Sequence, residues 1–205
     1  NVDTNAKTLD VYNRHFDRYM AGTPSEITPG DSQGEWLKDI VDTYLPDAAH
    51  VLEIGSAQGR DARWLQDAGV RVQVTDATDA AISHLKSHGF PDAAKLNILS
   101  DDIDSTYDMI FAAAVFLHFT ADELRAVLGK IHGHLQPTGV LAFSVKQGEG
   151  EAWQDHKMGE ARYFKFWQIK DMDDLLESTG YEVLDRRVLD DGKWVHYIAG
   201  VKHGN

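Results

Sequence analysis

The fold of this chain is decided by the stretch Val51–Asp61, which reads V-L-E-I-G-S-A-Q-G-R-D. Its apolar beginning predicts a buried strand, and Gly55 and Gly59 predict a sharp turn into a helix. Because glycine has no Cβ, both positions let the backbone pass close under a ligand. Asp76 ends the next apolar run, residues 71–75, where an acid can accept hydrogen bonds from both hydroxyls of a ribose. The pattern therefore predicts a cofactor site on an α/β sheet.

Other glycine-rich turns differ from this one in sequence. The dinucleotide fingerprint G-x-G-x-x-G is absent, because Ser56-Ala57-Gln58 separates the two glycines. No G-K-[S/T] is present, which excludes a phosphate-binding P-loop. Glu53, two positions before the first glycine, completes a pattern that resembles the cofactor loop of class I S-adenosylmethionine-dependent methyltransferases. The commonest form in that family is E/D-x-G-x-G-x-G, and here Ala57 replaces the middle glycine.

Length and composition favour one globular domain. The chain has 205 residues, 42% of them hydrophobic and 10% aromatic, which suits a sizeable core. Residues 1–205 are therefore predicted to be a single domain, with 1–31 as an N-terminal lid segment, 32–145 as the cofactor-binding core, and 146–205 as a substrate roof with a C-terminal hairpin. No apolar run reaches the length of a membrane span and no charged-then-apolar leader is present, which favours a cytoplasmic protein.

Charge and residue usage exclude several classes of function. The net charge is −13, and such a surface repels a phosphate backbone, so we expect a small-molecule substrate and no nucleic acid. The absence of cysteine removes disulfides, thiol catalysis and cysteine-ligated zinc. His84 and His88 have the spacing of metal ligands on a helix, but no third ligand is evident and no metal is predicted. A monomer or homodimer without a membrane partner is expected.

Apolar periodicity and turn residues predict alternating helices and strands. The predicted strands are 50–54, 71–75, 94–99, 107–115, 140–145, 181–188 and 194–201. Helices are predicted over 60–68, 79–88 and 170–179, and after capping boxes at Ser32 and Thr120. Pro137-Thr138-Gly139 is predicted to be a turn, and 147–160 to be a polar segment. This order predicts a doubly wound, mostly parallel seven-stranded sheet with a C-terminal antiparallel hairpin, the Rossmann-like methyltransferase fold that the resemblance implies.

The resemblance also implies a set of cofactor contacts. These are Tyr12, Tyr19, Glu53, Gly55, Ser56, Gly59, Asp76, Ala77, Asn97, Ile98 and Ala113. Glu53 braces the glycine loop or binds the amino group of the methionine part, and Asp76 binds the ribose. Asn97 stands where the family usually has an acid that grips the adenine; Asp101 or Asp102 holds that position if the loop is shorter.

The two ends of the chain are implied to close the site. The segment Tyr12–Tyr19 resembles the Y-x-x-x-A-x-x-Y lid of these enzymes, and its two tyrosines share one face of a helix. His118 falls where many members that act on small molecules carry a histidine, either as a base or as a residue that only orders the loop. Substrate contacts are expected from Arg162, Tyr163, Trp194 and His196, with Arg162 able to pair with an anionic group.

The chemistry implied by the resemblance is methyl transfer from S-adenosylmethionine by in-line displacement. The protein mainly supplies proximity and orientation, and a base is needed only if the nucleophile carries a proton. Two alternatives remain open. One is a non-catalytic S-adenosylmethionine-binding sensor or partner subunit, and the other is an NAD(P)-dependent oxidoreductase, which the turn sequence and the hairpin disfavour.

Overall fold

The computed structural model describes residues 2–204 and contains a central sheet of seven strands. These strands are β1 His50–Glu53, β2 Arg71–Asp76, β3 Ala94–Lys95, β4 Tyr107–Ala112, β5 Leu135–Lys146, β8 Tyr181–Leu189 and β9 Trp194–Val201. Their order is β3-β2-β1-β4-β5-β9-β8. The first five pair in parallel, and β9 lies antiparallel to both of its neighbours. The predicted doubly wound sheet with one inserted antiparallel strand is confirmed.

Seven helices and a short hairpin surround this sheet in the described part of the chain. The helices are α1 Thr4–Arg14, α2 Phe16–Ala21, α3 Ser32–Tyr44, α4 Arg60–Asp67, α5 Asp79–Ser87, α6 Ala121–His132 and α7 Ile169–Ser178. The hairpin pairs β6 Glu151–Gln154 with β7 Arg162–Lys165. A single 3-10 turn covers Phe116–His118.

Alternation along the buried strands separates two cores, because neighbouring residues of a strand point to opposite faces of the sheet. On one face, Met109 and Phe111 of β4 pack with Trp36 of α3. On the other face, Ile110 of β4 packs with α6 and α7, whose buried residues include Leu128. Covering both faces of a parallel sheet with helices leaves its two ends as the places where loops can build a site.

Of the two predicted N-terminal capping boxes, one is present in the structure and the other is not. Thr120 forms a full capping box with Glu123, as predicted. The predicted box at Ser32 is wrong, because Asp31 is the N-cap and its carboxylate accepts from the Gln33 N–H. An acid one residue earlier offers the stronger acceptor to the free N–H groups of the helix.

Several strand predictions need correction. β3 has two residues instead of the predicted 94–99, and β4 ends at Ala112 instead of Val115. β5 is longer than predicted and begins at Leu135, since Pro137–Gly139 forms an irregularity inside the strand where the pairing with β4 shifts register. The hairpin of β6 and β7 was not predicted; β6 lies within the predicted polar segment 147–160, and β7 follows that segment. In the described residues, no helix is long and apolar enough to cross a membrane.

Candidate active site

A cavity of about 510 Å³ opens at the carboxyl ends of the parallel strands, within the range of about 300–1,000 Å³ of small-molecule sites. Its floor comes from the residues that follow β1, β2, β3 and β4, and its roof from α1, β7 and β9. The strand order reverses between β1 and β4, which is the position where open α/β sheets bind ligands.

The loop after β1 requires its glycines for packing against the protein itself. Gly55 and Gly59 have φ of +71° and +85°, and a Cβ would lie 2.4 Å from Val115 Cγ2 and 2.5 Å from Phe90 Cε2, respectively. Contact with neighbouring side chains is thus a further reason for the two glycines, and clearance under a ligand stays a prediction. Ala57, in place of the family's middle glycine, also has a positive φ, of 51°, a strained conformation for a residue with a Cβ.

Asp76 at the end of β2 holds this loop together. Its Oδ2 accepts from the Ala57 N–H at 3.0 Å, and its Oδ1 accepts from the N–H and hydroxyl of Thr78, each at 3.0 Å. A carboxylate has about four lone-pair sites, so Oδ2 retains one for a ligand. Burial raises the pKa of Asp76, and the backbone hydrogen bonds oppose that rise. Ala77 beside it also lines the cavity.

Glu53 presents a carboxylate with unmet hydrogen-bonding capacity. The side chain is buried at 3% exposure, lines the cavity, and its Oε1 has no hydrogen-bond partner among the described residues. Burial, together with the nearby Asp61 and Asp76, raises the pKa of Glu53 to about 8. A buried acceptor of this kind is costly unless a ligand satisfies it, and a cationic donor would do so best.

The adenine-side prediction falls on residues that line the same cavity. Asn97 and Ile98 both line it, whereas Asp101 and Asp102 are exposed and absent from the lining. The Asn97 amide already has partners, since its Nδ2 donates to Asn5 at 3.0 Å and its Oδ1 accepts from the Leu99 N–H at 3.1 Å. Asp101 supports this loop from outside by accepting from the Asn97 N–H at 2.8 Å.

A chain of hydrogen bonds crosses the roof of the cavity. Arg162 Nη1 donates to the Tyr12 hydroxyl at 2.6 Å, which lies 2.8 Å from His118 Nε2. His118 Nδ1 lies 2.8 Å from the Tyr163 carbonyl, and a carbonyl only accepts, so Nδ1 carries the proton. Burial lowers the pKa of His118 to about 3, which leaves a neutral ring whose Nε2 accepts from Tyr12.

This arrangement changes what the predicted base can do. Both nitrogens of His118 are engaged, and the lone pair on Nε2 faces Tyr12 rather than open cavity. A substrate proton would therefore reach the imidazole only through the Tyr12 hydroxyl. The direct-base role of His118 stays a prediction, and the geometry favours a role in orienting Tyr12.

Tyr12 and Tyr19 lie together at the cavity although they belong to two helices. The helix is interrupted at His15, between α1 and α2, so the prediction that both tyrosines share one face of a single helix is wrong. The two rings nevertheless contact each other edge to face, with their centroids 5.8 Å apart. Both side chains line the cavity.

Three of the four predicted substrate residues line the cavity, and the side chain of Tyr163 does not. Arg162 and Phe164 line the cavity, while the Tyr163 hydroxyl donates to Glu151 on the hairpin. The prediction that the Tyr163 side chain contacts substrate is corrected, because alternation along a strand turns it away from its neighbours. Trp194 and His196 of β9 line the cavity; burial lowers the pKa of His196 to about 4.

Sequence reasoning missed the polar face of α1. Asn5, Thr8 and Tyr12 follow helical spacing and point inward: Asn5 bonds Asn97, and the Thr8 hydroxyl accepts from the Tyr163 N–H at 3.0 Å. Three polar residues at positions i, i+3 and i+7 were the available signal. Lys146 and Ser144 near the end of β5 were also missed, and both line the cavity.

Comparisons with known proteins agree with this architecture. Residues 52–141 match the model of a family described as "Methyltransferase domain". The 1,6-didemethyltoxoflavin-N1-methyltransferase of Burkholderia thailandensis has a TM-score of 0.74 at 18% identity, over 97% of this chain and 89% of that one. The DhpI–SAH complex has a TM-score of 0.78 at 16% identity, over 98% of each chain. At these identities the solved structures show the fold.

A curated relative covers less of the chain. Hemagglutinin 1 of Eikenella corrodens is 27% identical over 108 residues, which is 50% of this chain and 35% of that protein. The chain thus spans about a third of the length of the curated relative that it matches.

The family match and the solved structures point to the same class of protein. Residues 52–141 resemble a methyltransferase domain, and the chain has the fold of solved methyltransferases, one of which was crystallised with S-adenosylhomocysteine.

Proposed function

We propose that this protein transfers a methyl group from S-adenosylmethionine to a small-molecule nucleophile. One observation carries the proposal: a single cavity is lined by the glycine loop and Asp76 on one side and by Arg162, Lys146 and Trp194 on the other. A cofactor site that merely senses its ligand has no need of a second open compartment. The shared cavity therefore supports an enzyme over a binding module.

The residues on the floor fit the cofactor. The unpartnered Oε1 of Glu53 suits a positively charged amino group, and the remaining lone pair of Asp76 Oδ2 suits a ribose hydroxyl. Asn97 and Ile98 line the same cavity, which supports their predicted role beside the adenine. When bound, S-adenosylmethionine supplies an electrophilic methyl group on a sulfonium.

The residues of the roof orient the reactants and exclude water. Tyr12 and Tyr19 cover the cavity, and Arg162 and His118 fix the Tyr12 hydroxyl from two sides. Aligned and desolvated reactants need little further assistance. The neutral ring of His118, whose pKa burial lowers to about 3, orients the Tyr12 hydroxyl through Nε2.

The proposal is tested by parallel calorimetric titrations with S-adenosylmethionine, S-adenosylhomocysteine and NADH, followed by an assay for methyl transfer over a panel of small molecules. We expect both adenosyl compounds to bind at micromolar concentration and NADH to be silent. Binding of NADH alone would contradict the methyltransferase proposal and favour an NAD(P)-dependent oxidoreductase. Tight binding of the adenosyl compounds without turnover on any small molecule would favour the sensor or partner subunit.

The relatives offer one more point of support. The Burkholderia thailandensis enzyme was solved with 1,6-didemethyltoxoflavin and S-adenosylhomocysteine bound, so this fold accommodates a small molecule beside the cofactor in that protein. A small-molecule substrate, a cytoplasmic location, a monomeric or homodimeric state, and the absence of nucleic acid partners remain our predictions for this chain.

A further inference from the structure

The roof of the cavity carries a concentration of positive charge that the proposed function does not use. We define the cationic wall as Lys146, Lys157 and Arg162, all of which line the cavity together with the neutral ring of His156. Two of these cations share the ring of Phe164, since Lys146 Nζ lies 4.6 Å and Arg162 Cζ 5.0 Å from its centroid. The His156 ring lies 5.3 Å from the same centroid, and Lys157 Nζ lies over the Tyr19 ring at 4.6 Å. Such a cluster is unusual in a chain with a net charge of −13.

The most buried member of the cationic wall has no counter-ion. Arg162 is 3% exposed, and its guanidinium donates to two neutral oxygens, the Tyr12 hydroxyl and the His156 carbonyl. Its Nε is buried without any partner among the described residues. A desolvated guanidinium without an anion is strongly unfavourable, so the site favours a ligand that brings negative charge.

The other members of the wall are also unpaired. None of the ion pairs in the described part of the chain includes Lys146, Lys157 or Arg162. Burial lowers the pKa of Lys146, with repulsion by Arg162 adding to the effect. Asp190 of the β8–β9 connection also lines the cavity, but it pairs with none of these cations.

The cofactor's own carboxylate is the competing partner for this charge. In S-adenosylmethionine that carboxylate shares a carbon with the amino group, so it must lie close to the group that binds Glu53. Arg60, which pairs with Asp61, is a cation that acts to lower the pKa of Glu53. Lys146 and Arg162 lie at β5 and β7, across the switch point from the loops that follow β2 and β3.

We propose, on the basis of the proposed function, that the methyl acceptor is an anion, a carboxylate or a phosphate-type oxyanion, held between Arg162 and Lys146. The guanidinium offers directional N–H donors and the ammonium offers a compact point charge, a pairing that suits an oxyanion with several acceptor oxygens. Phe164 and Trp194 would flank the organic part of this acceptor, since both rings lie within contact of Lys146.

The first test uses protein saturated with S-adenosylhomocysteine. It is titrated with benzoate and with methylphosphonate as anionic probes, and with benzamide as a neutral probe of similar shape. We expect saturable binding of at least one anion, no binding of benzamide, and a loss of about tenfold or more in Lys146→Met, as for one charge-assisted contact. Lys165→Met is the matched control, because Lys165 is also a half-buried lysine over an aromatic ring but does not line the cavity.

The outcomes separate this inference from the function on which it rests. Binding of S-adenosylhomocysteine without saturable binding of either anion overturns the inference and leaves the methyltransferase proposal intact. Equal anion binding in wild type and Lys146→Met also overturns it, because the anion then binds elsewhere. Failure of S-adenosylhomocysteine to bind would instead remove the proposed function.

A second titration distinguishes the two sources of negative charge. S-adenosylhomocysteine is compared with 5′-methylthioadenosine, which lacks the amino-acid part, in wild type and Lys146→Met. We expect the variant to bind both compounds as wild type does. A weaker affinity for S-adenosylhomocysteine alone would assign the cationic wall to the cofactor carboxylate and overturn the inference.

Discussion

The two walls of the cavity differ in charge and in how the chain builds them. The floor carries Glu53, Asp61 and Asp76, which come from one short stretch around β1 and β2. The cationic wall combines the end of β5 with the segment around β7, and it is tied to α1 through Arg162 and Tyr12. An acidic floor suits a cationic cofactor and a basic roof suits an anionic acceptor. The difference in charge suits the two ligands that we propose, a cofactor with a cationic amino group and an anionic acceptor.

The largest expected effect is a loss of cofactor affinity when an acid of the floor is removed. Asp76→Ala removes the proposed acceptor for a ribose hydroxyl and also the three hydrogen bonds that shape the loop at Ala57 and Thr78. Because a hydrogen bond to a charged group contributes about 1.5–3 kcal/mol, we expect affinity for S-adenosylhomocysteine to fall by about 100-fold or more. Calorimetry measures it, with the exposed Asp79→Ala as control. An unchanged affinity would remove Asp76 from the cofactor site.

The second effect concerns the unpartnered acid of the floor. The pKa of Glu53 is about 8 in the folded protein and 4.5 in the unfolded reference. The unfolded chain therefore loses this proton first, so the stability contribution of Glu53 is complete below about pH 4.5 and is lost as the pH rises through about 8. Glu53→Gln should raise the unfolding free energy of the ligand-free protein at pH 9 by a few kcal/mol.

The same substitution should weaken binding of the cofactor. A glutamine side chain cannot provide the negative charge that pairs with an amino group, so Glu53→Gln should be more stable and yet bind S-adenosylhomocysteine less tightly. Denaturant titrations at pH 5 and pH 9, with calorimetry at pH 8, measure both quantities. A variant that loses stability at pH 9 would contradict the assignment of Glu53 as a strained, unpaired acid.

A smaller effect tests the link between the roof and α1. Tyr12→Phe leaves Arg162 Nη1 and His118 Nε2 each without a partner. An unsatisfied buried polar group costs about 1–3 kcal/mol, so we expect a clear drop in melting temperature together with slower turnover once a substrate is known. If stability and turnover both match wild type, Tyr12 is not the group that His118 and Arg162 orient.

The smallest expected effect sharpens the description of the glycine loop. Ala57 has a φ of 51°, a left-handed conformation that costs an L-residue about 1–2 kcal/mol and a glycine almost nothing. After the entropy of the unfolded glycine is subtracted, Ala57→Gly should stabilise the protein by about 0.5 kcal/mol. Chemical denaturation at equilibrium measures it. Destabilisation would mean that the Ala57 methyl makes a favourable contact that outweighs the backbone strain.

The floor could be predicted from sequence because its signals are local. An acid, a glycine turn and a second acid follow one another within Glu53–Asp76, and each lies at the end of a strand whose apolar pattern is clear. The helix cap at Thr120 and the final hairpin were predictable for the same reason. Each of these features depends on residues a few positions apart, where propensity and capping rules apply.

The roof could not be predicted in the same way. Whether a tyrosine of α1 meets an arginine of β7 depends on docking of segments distant in sequence, which no local pattern encodes. Pro137 and Gly139 indicated a turn, but the sheet extends through them at the cost of a register shift. Tyr163 was grouped with its neighbours as a substrate residue because strand β7 itself had not been predicted, and without a strand its alternation was hidden.

The contacts that hold α1 against β7 have a consequence for the order in which the parts of the protein fold. Thr8 and its partner Tyr163 are 155 residues apart, and Tyr12 and Arg162 are 150 apart. Within this chain α1 is synthesised before β7, so the contacts of Thr8 and Tyr12 with β7 can form only after the residues between them have been made. Because loop-closure entropy grows only slowly with length, docking this late costs little more than docking early. We therefore expect α1 to be the last piece to join and, in the finished protein, the first to detach for ligand exchange.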